Sequence, residues 1–229
     1  MKSLRVLVAC EESQAVTKEF RKLGHEAFSC DLLPCSGGHP EWHFQTSVFD
    51  IINEGWDIMV AHPPCTYLAV SGAGWLYNKD GSRNEERYRN QMEGLEFVHE
   101  LMDAKIPRIA IENPISVIST YIREPDQIIH PWQFGDEATK STCLWLKNLP
   151  LLQPTKIVGK GEVFEWTDKK TGKKKKQSLW FYNAFKQAKT TAERRTLRSK
   201  TFPGIAEAMA KQWSNIEKVG IQKTIFDEV

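Results

Sequence analysis

The stretch LRVLVACEESQAVTKEFRKLGHEAFSCD, residues 4–31, decides the fold of this chain. It begins with a short run of apolar and β-branched residues at 4–9, which predicts a strand. Apolar side chains then recur at helical spacing over residues 16–23, and Gly24 ends that pattern as a helix C-cap glycine does. Residues 25–30 predict a second strand. A β–α–β unit of about thirty residues requires that its two strands run parallel.

The same alternation continues along the chain. Two further apolar runs, residues 56–61 and 108–112, predict buried strands, and a proline follows each of them closely. Between these runs, residues 85–105 place apolar side chains on one face, which is typical of an amphipathic helix. Strands that alternate with helices predict a doubly wound, Rossmann-like α/β sheet.

Polar residues follow each predicted strand. They are Cys10–Ser13, Asp31, His62–Cys65 and Glu112–Asn113. In a doubly wound sheet, ligands bind outside the carboxyl ends of the strands. We therefore expect these residues to surround a ligand site.

The net charge of +2 hides an uneven distribution. Residues 156–200 contain 14 Lys and Arg against 4 Asp and Glu, a net charge of +10, and the rest of the chain carries −8. An acidic body with one basic segment indicates a polyanion partner. We divide the chain into a catalytic domain at 1–155, a small basic lobe at 156–200, and a C-terminal helix with a tail at 201–229.

The basic lobe is predicted to contain a β-hairpin. Residues 163–166 and 178–182 would form its strands, and a lysine-rich tip would surround Gly172. Residues 191–200 predict a basic helix, and residues 205–213 predict an apolar-faced one. This hairpin lobe is expected to contact the polyanion.

Composition and cysteine usage exclude several classes of protein. With 41% hydrophobic and 26% charged residues, the chain is neither disordered nor fibrous. Its five cysteines are irregularly spaced, which fits a reducing compartment better than a disulfide framework. No signal peptide is recognised, and prolines interrupt the uncharged run at 58–78. We expect a cytoplasmic protein that does not cross a membrane and is a monomer or a weak dimer.

The residues themselves indicate a cofactor and a nucleophile. Asp31 lies where an acidic residue usually binds the ribose of a nucleoside cofactor. Glu11 and Glu12 would repel a pyrophosphate, which argues against NAD and FAD, whereas S-adenosylmethionine has a positive centre that fits acids. Two prolines present Cys65 rigidly as a nucleophile, and Glu112 at the end of a buried strand can act as a general acid.

The order of these pieces resembles the cytosine-C5 DNA methyltransferase family. Pro64-Cys65 matches its Pro-Cys nucleophile and Glu112-Asn113 matches its Glu-Asn-Val motif, while FPGIAEAM at 202–209 is similar to its closing motif. The stretches HPPCTYL, IENP, TKSTCLWL and RSKTFPGIA also resemble small methyltransferase-like proteins encoded by phages and prophages.

The resemblance implies a methyltransferase-type sheet and transfer of a methyl group from S-adenosylmethionine to cytosine C5 in DNA. The reaction would pass through a covalent cysteine adduct with a cytosine flipped out of duplex DNA. A phage-encoded protein would act in the cytoplasm of its host cell.

The site residues fall into three groups, and no metal is expected. The implied catalytic residues are Pro64, Cys65, Glu112 and Asn113. The implied cofactor-binding residues are Ala9, Cys10, Glu11, Glu12, Ser13, Asp31, Leu32, Ser47, Val48, His62, Pro63 and Gly204. The expected nucleic-acid contacts are Lys140, Lys169, Lys170, Lys173, Lys174, Lys175 and Lys176.

The chain also departs from the family. Cys10–Ser13 replaces the glycine-rich first motif, and Thr46-Ser47 stands where the family has Gly-Asp. Residues 139–142 represent the glutamine–arginine motif only loosely. The large target-recognition domain is missing, and residues 156–200 would serve as a reduced version of it.

Four alternatives remain open. The Pro-Pro pair could position an exocyclic amino group for methylation, although His62 stands where that motif has Asp or Asn. Cys30, Cys35, His39 and His43 could bind zinc. The fold could be non-catalytic and bind nucleic acid, or the substrate could be a free cytosine nucleotide. In the preferred interpretation, residues 71–74 form a mobile loop that closes over a flipped base.

Overall fold

A seven-stranded sheet forms the centre of the protein. The computed structural model describes residues 2–214, apart from five side chains in the basic lobe. The strands are β1 (Arg5–Ala9), β2 (Glu26–Asp31), β3 (His43–Gln45), β4 (Ile58–Ala61), β5 (Arg108–Pro114), β6 (Gln127–Ile129) and β7 (Thr142–Lys147). Residues 215–229 of the predicted tail lie outside the described residues.

The strand order is β3-β2-β1-β4-β5-β7-β6. The first five strands in this order are parallel, and β7 runs antiparallel to both of its neighbours. From β1 the chain proceeds to one edge of the sheet and then crosses back to β4, so a topological switch point lies between β1 and β4. The predicted fold class, a doubly wound Rossmann-like α/β sheet, is confirmed.

Helices cover both faces of the sheet. They are α1 (Ala15–Lys22), α2 (Glu85–Asp103), the short α3 (Ile118–Tyr121) and α6 (Pro203–Trp213). Alternate strand residues point to opposite faces, so Val6 and Val8 belong to the core under α1 and α6, whereas Leu7 belongs to the core under α2. The helix predicted over residues 16–23 is α1, and Gly24 follows it with the positive φ of 82° that this terminus requires.

Three strands were not predicted. Strands β3 and β6 are three residues long, too short for a recognisable period. Strand β7 overlaps the TKSTCLWL stretch, which contributed to the family resemblance but carried no strand prediction. It is almost wholly buried between β5 and β6, so its apolar residues show no alternation.

The basic lobe contains a hairpin and two helices. The hairpin strands are β8 (Val163–Thr167) and β9 (Lys174–Ser178), and the helices are α4 (Leu179–Gln187) and α5 (Thr191–Ser199). The lobe contacts the segment before β7 through Trp180, whose Nε1 donates a hydrogen bond to the Thr139 carbonyl oxygen at 3.2 Å. The Trp180 ring also meets Phe202 edge to face, with centroids 5.3 Å apart.

The prediction of a strand at 178–182 is wrong. Residues 179–182 begin α4, and the Tyr182 ring stacks on Phe164 at a centroid distance of 3.8 Å. A short apolar run suits either a helix or a strand, and here packing against the hairpin selects the helix. The second strand is therefore formed by the lysine run itself.

The lysines consequently extend beyond the hairpin tip. Lys169, Lys170 and Lys173 lie in the turn, whereas Lys174–Lys176 lie in β9. Asp168 holds the turn by accepting hydrogen bonds from the backbone of Lys170 and Thr171 at 2.9 and 3.0 Å. A hydrogen bond from Lys175 and these backbone donors lower the pKa of Asp168 to about 2.

The loop predicted to be mobile has regular structure. Val70–Leu76 forms a 3₁₀ segment. The Arg87 guanidinium donates hydrogen bonds to the carbonyl oxygens of Thr66 and Gly72 at 3.3 and 3.2 Å, which ties the loop to α2. Trp75 in the same segment is 73% exposed.

The longest helix, α2, has 19 residues and carries many charged side chains. Among residues 2–214, no helix has the length and apolar character that crossing a bilayer requires.

Gly204 permits a close backbone contact at the start of α6. Its N–H donates to the Asp136 carboxylate at 2.9 Å, and a Cβ on Gly204 would lie 1.9 Å from the Phe134 carbonyl oxygen. The glycine therefore has a packing role, whatever its predicted part in cofactor binding.

We predict that Gly204→Ala lowers the free energy of unfolding by ~1–3 kcal/mol, because the new methyl group forces the backbone apart. Urea denaturation followed by tryptophan fluorescence measures this change. Gly159→Ala is the matched control, since no atom lies within 4 Å of a Cβ at that position. Equal midpoints for the two variants would contradict the packing role.

Candidate functional site

The carboxyl ends of β4 and β5 bring His62 and Glu112 together. These strands pair with Ala61 opposite Ile111, so the next residue of each strand lies beside the other. The His62 backbone N–H continues the pairing with β1 by donating to the Ala9 carbonyl oxygen at 2.9 Å. The side chains then meet, with His62 Nδ1 3.1 Å from Glu112 Oε2.

Glu112 is a buried carboxylate, with 8% of its surface exposed. Burial by itself would raise the pKa of Glu112, but the positive charge of Lys140 and the hydrogen bond from His62 outweigh it and lower the pKa. The free protein therefore holds Glu112 as an ion. A proton for donation to a ligand has to arrive when the ligand binds.

Asn113 fixes the turn that carries the thiol. Its Nδ2 donates to the Pro63 carbonyl oxygen at 2.8 Å, and its side chain is buried. Asn113 Oδ1 is also buried and has no hydrogen-bond partner among residues 2–214. Asn113 thus holds Pro63, while Glu112 contacts His62, the residue before the Pro63-Pro64 turn.

Cys65 is exposed directly after this turn. Its carbonyl oxygen accepts hydrogen bonds from the backbone of Leu68 and Ala69 at 3.1 and 2.9 Å, which closes a helical turn. Desolvation by the surrounding atoms raises the pKa of the Cys65 thiol, and the charge of Glu112 raises it further. Lys140 and Arg198 act in the opposite direction.

Two cations thus act on the site from different parts of the chain. Lys140 precedes β7, and Arg198 lies in the last turn of α5 in the basic lobe. Lys140 Nζ donates to the Arg198 carbonyl oxygen at 3.5 Å, and the Arg198 guanidinium lies 3.9 Å from the Phe181 ring centroid. Sequence reasoning missed Arg198, although it begins the quoted RSKTFPGIA stretch.

The first turn after β1 uses Glu11 within the protein. Its Oε1 accepts from the Val16 N–H at 2.7 Å, and its Oε2 accepts from the Thr17 N–H and hydroxyl at 3.2 and 2.7 Å. The carboxylate therefore occupies the N-terminus of α1, where a phosphate group would otherwise bind. This arrangement fits a nucleoside cofactor without phosphates.

Gln14 is an organising residue that the sequence did not reveal. It is fully buried with a φ of 57°, and its Nε2 donates to Ser29 Oγ at 3.2 Å and to the His39 carbonyl oxygen at 2.8 Å. Its Oε1 accepts from the His39 N–H and the Cys35 thiol. A single glutamine between a strand and a helix carries no periodic signal for such a role.

The other predicted cofactor residues lie along the ends of β1, β2 and β3. Asp31 is partly buried and accepts a hydrogen bond from the Leu33 N–H at 2.9 Å, whereas Leu32 is 73% exposed. Glu12 accepts a hydrogen bond from the Ser36 hydroxyl. The group is completed by buried Ala9, by the partly buried Cys10 and Ser13, and by Ser47 and Val48, where a short 3₁₀ segment begins. Their cofactor roles stay predictions.

The four residues of the zinc alternative have separate partners. Cys30 donates to the Thr46 carbonyl oxygen, Cys35 contacts Gln14, and the His39 ring stacks on Trp42. His43 contacts Ser29 Oγ and the Leu33 carbonyl oxygen. Within residues 2–214, no three His, Cys, Asp or Glu side chains converge as metal ligands would.

Comparisons with known proteins give a structural likeness only. No family model matches the chain, and no curated protein matches it. Among solved structures, it is similar to the Entamoeba histolytica methyltransferase EhMeth, with 15% sequence identity and a TM-score of 0.46. The match covers 69% of this chain and 58% of that one, so the chain spans less than two thirds of that protein's length.

We predict that Glu112→Gln accelerates alkylation of Cys65 by iodoacetamide several-fold at neutral pH. Removing the negative charge lowers the pKa of the thiol and increases the thiolate fraction, which is the reactive form. Lys140→Gln should slow the reaction. Mass spectrometry of the Cys65 peptide measures both rates.

Glu96→Gln serves as the control for this experiment, because Glu96 is exposed on α2. It should leave the alkylation rate at the wild-type value. Equal rates in the Glu112 and Glu96 variants would show that Glu112 does not act on the thiol.

Proposed function

We propose that the protein is an S-adenosylmethionine-dependent methyltransferase that acts on C5 of cytosine in DNA. One observation carries the proposal: the pairing of β4 with β5 places the exposed Cys65 thiol and the buried Glu112 carboxylate at the same end of the sheet. A nucleophile for C6 and a partner for N3 are the two groups that this chemistry requires.

The reaction follows from these two groups. The thiol proton of Cys65 passes to the Glu112 carboxylate and the sulfur bonds to C6, which shifts the electron pair of the C5–C6 double bond towards C5 and N3. Glu112 donates that proton to N3, and C5 becomes nucleophilic enough to accept a methyl group. Return of the N3 proton to Glu112, loss of the C5 proton to water and cleavage of the C–S bond then restore the aromatic ring and the thiolate.

The cationic neighbours serve the first of these steps. The thiol of the free protein is held mainly protonated, because desolvation by the surrounding atoms and the charge of Glu112 raise its pKa. Lys140 and Arg198 are the groups that favour the thiolate, and Arg198 comes from the basic lobe. A substrate that brings the lobe, and with it Arg198, closer to the sheet would therefore increase the fraction of Cys65 that is ionised to the thiolate.

S-adenosylmethionine would supply an electrophilic methyl group. Asp31 and Leu32 would bind its nucleoside portion, and residues 9–13 would line the end of β1. The Glu11 carboxylate occupies the N-terminus of α1, where the pyrophosphate of NAD or FAD would bind. S-adenosylmethionine contains no phosphate, so this arrangement supports it as the cofactor. Acidic side chains in this turn suit its positive sulfur and amino group.

The basic lobe would bind the DNA backbone. Residues 156–200 carry a net charge of +10. The lysines proposed to contact phosphates in the turn and in β9 are all solvent-exposed, and one of them, Lys175, forms an ion pair with Asp168. Extrusion of a cytosine costs a few kcal/mol, which backbone contacts of this kind can offset.

A second candidate function is nucleic-acid binding without catalysis. The raised pKa of Cys65 favours it, because a resting thiol is a poor nucleophile. Methylation of an exocyclic amino group receives less support, since the His62 side chain is engaged with Glu112. A free cytosine nucleotide as substrate leaves the lysine-rich strand unexplained.

We predict that the wild-type protein forms a covalent complex with S-adenosylmethionine and DNA containing 5-fluorocytosine. Fluorine at C5 cannot leave as a proton does, so the Cys65 adduct should persist and migrate as a denaturation-resistant band. Cys65→Ala should form no adduct, whereas the control Cys35→Ser should form it as the wild type does. Absence of an adduct, with DNA binding intact, would favour the non-catalytic function.

We further predict that Lys173, Lys174 and Lys176 contribute to a salt-dependent DNA affinity. Replacing all three by Gln should reduce the slope of log K against log salt by about one for each of these lysines that binds a phosphate. Fluorescence anisotropy with duplex DNA measures the slope. Replacing Lys2, Lys79 and Lys105 removes the same charge elsewhere, and an equal effect of both triple variants would contradict a specific role for β9.

A further inference from the structure

We propose that His62 is a positioning residue that holds Glu112 by one carboxylate oxygen and leaves the other for the substrate base. The inference rests on the proposed function and deepens it, since it assigns a task to a residue that the family resemblance placed only near the cofactor.

The geometry of the pair is well defined. His62 Nδ1 lies 3.1 Å from Glu112 Oε2, and the two side chains are 9% and 10% exposed. His62 directly follows β4 and Glu112 lies in β5, two strands that are hydrogen-bonded to each other, and Pro63 restricts the backbone immediately after His62. The contact therefore joins two side chains on rigid supports.

The direction of this hydrogen bond follows from the ionisation of Glu112. A carboxylate can only accept hydrogen bonds, so the proton lies on His62 Nδ1. Oε2 is thereby engaged, and rotation of the carboxylate about its last torsion is restricted. Oε1 remains as the oxygen that can face a ligand.

Four titratable or charged groups act on or near Glu112, and only one of them fixes its orientation. Lys140 contributes positive charge, while Cys65 and Cys143 each have their pKa raised by the carboxylate. His62 is the only one of the four that forms a described hydrogen bond to Glu112. Charge compensation by Lys140 and orientation by His62 are therefore separable.

The other ring nitrogen shows that stability alone does not account for a histidine here. His62 Nε2 is buried and has no hydrogen-bond partner among the described residues. A buried polar atom without a partner is unfavourable, and an apolar side chain of similar size would avoid that cost. The favourable contact of the ring is the one that Nδ1 makes with Glu112.

Two variants separate positioning from simple packing. In His62→Asn, the amide nitrogen can take the place of Nδ1, whereas in His62→Gln the amide reaches the place of Nε2. The positioning role predicts that His62→Asn retains most of the adduct-forming rate with 5-fluorocytosine DNA. It predicts that His62→Gln loses roughly ten- to a hundredfold in the maximal rate, with an unchanged half-saturating DNA concentration.

Titration of Glu112 provides a readout that does not depend on activity. Carbon-13 NMR of protein labelled at glutamate Cδ, assigned with Glu112→Gln, should show a higher pKa of Glu112 in His62→Gln than in the wild type. His62→Asn should restore the lower value. The direction follows because a hydrogen bond to the ionised carboxylate is removed.

The outcomes distinguish this inference from the proposed function. If the wild type forms no adduct but the titrations differ as expected, the proposed function fails while His62 still holds Glu112. If the adduct forms and the two His62 variants behave alike in both measurements, the positioning role is overturned and His62 only fills space.

Discussion

The parallel pairing of β4 with β1 and β5 is the constraint on which the site depends. Because the strands run in one direction, their polar ends meet at one edge, and the Ala61–Ile111 register places His62 beside Glu112. A shift of one residue would turn these side chains to opposite faces of the sheet. The placement of His62 beside Glu112 is therefore a property of the sheet rather than of its loops.

A buried carboxylate at this edge demands compensation. Desolvation opposes its charge, so Glu112 has to be neutral or paired. Lys140 and His62 pair it, and Asn113 uses its own amide to hold the Pro63 turn. The same carboxylate raises the pKa of Cys65, so stabilising one group of the site makes the other less reactive. Arg198 links that balance to the basic lobe.

The sequence predicted the parallel part of the fold and the convergence of the polar strand ends. Residues 4–31 carry a complete β–α–β pattern, and the strand–helix–strand order that this pattern predicts is the one the folded chain has. The second hairpin strand was predicted at 178–182, but it is β9, formed by the lysine run. Stacking of Tyr182 on Phe164 favours helix α4 for most of the residues that were expected to form that strand. Arg198 and Gln14 could not be identified as site neighbours, since their roles depend on contacts between residues distant in sequence.

The departure of the first turn from a glycine-rich motif has a physical explanation in Glu11. A glycine-rich turn leaves the helix N-terminus open so that backbone N–H groups can bind phosphate. Here the Glu11 carboxylate takes those donors, and the left-handed backbone at Cys10 and Gln14 shapes the turn without glycine. The helix is capped by the protein itself. The backbone N–H groups of Val16 and Thr17 are therefore not free to bind a phosphate group.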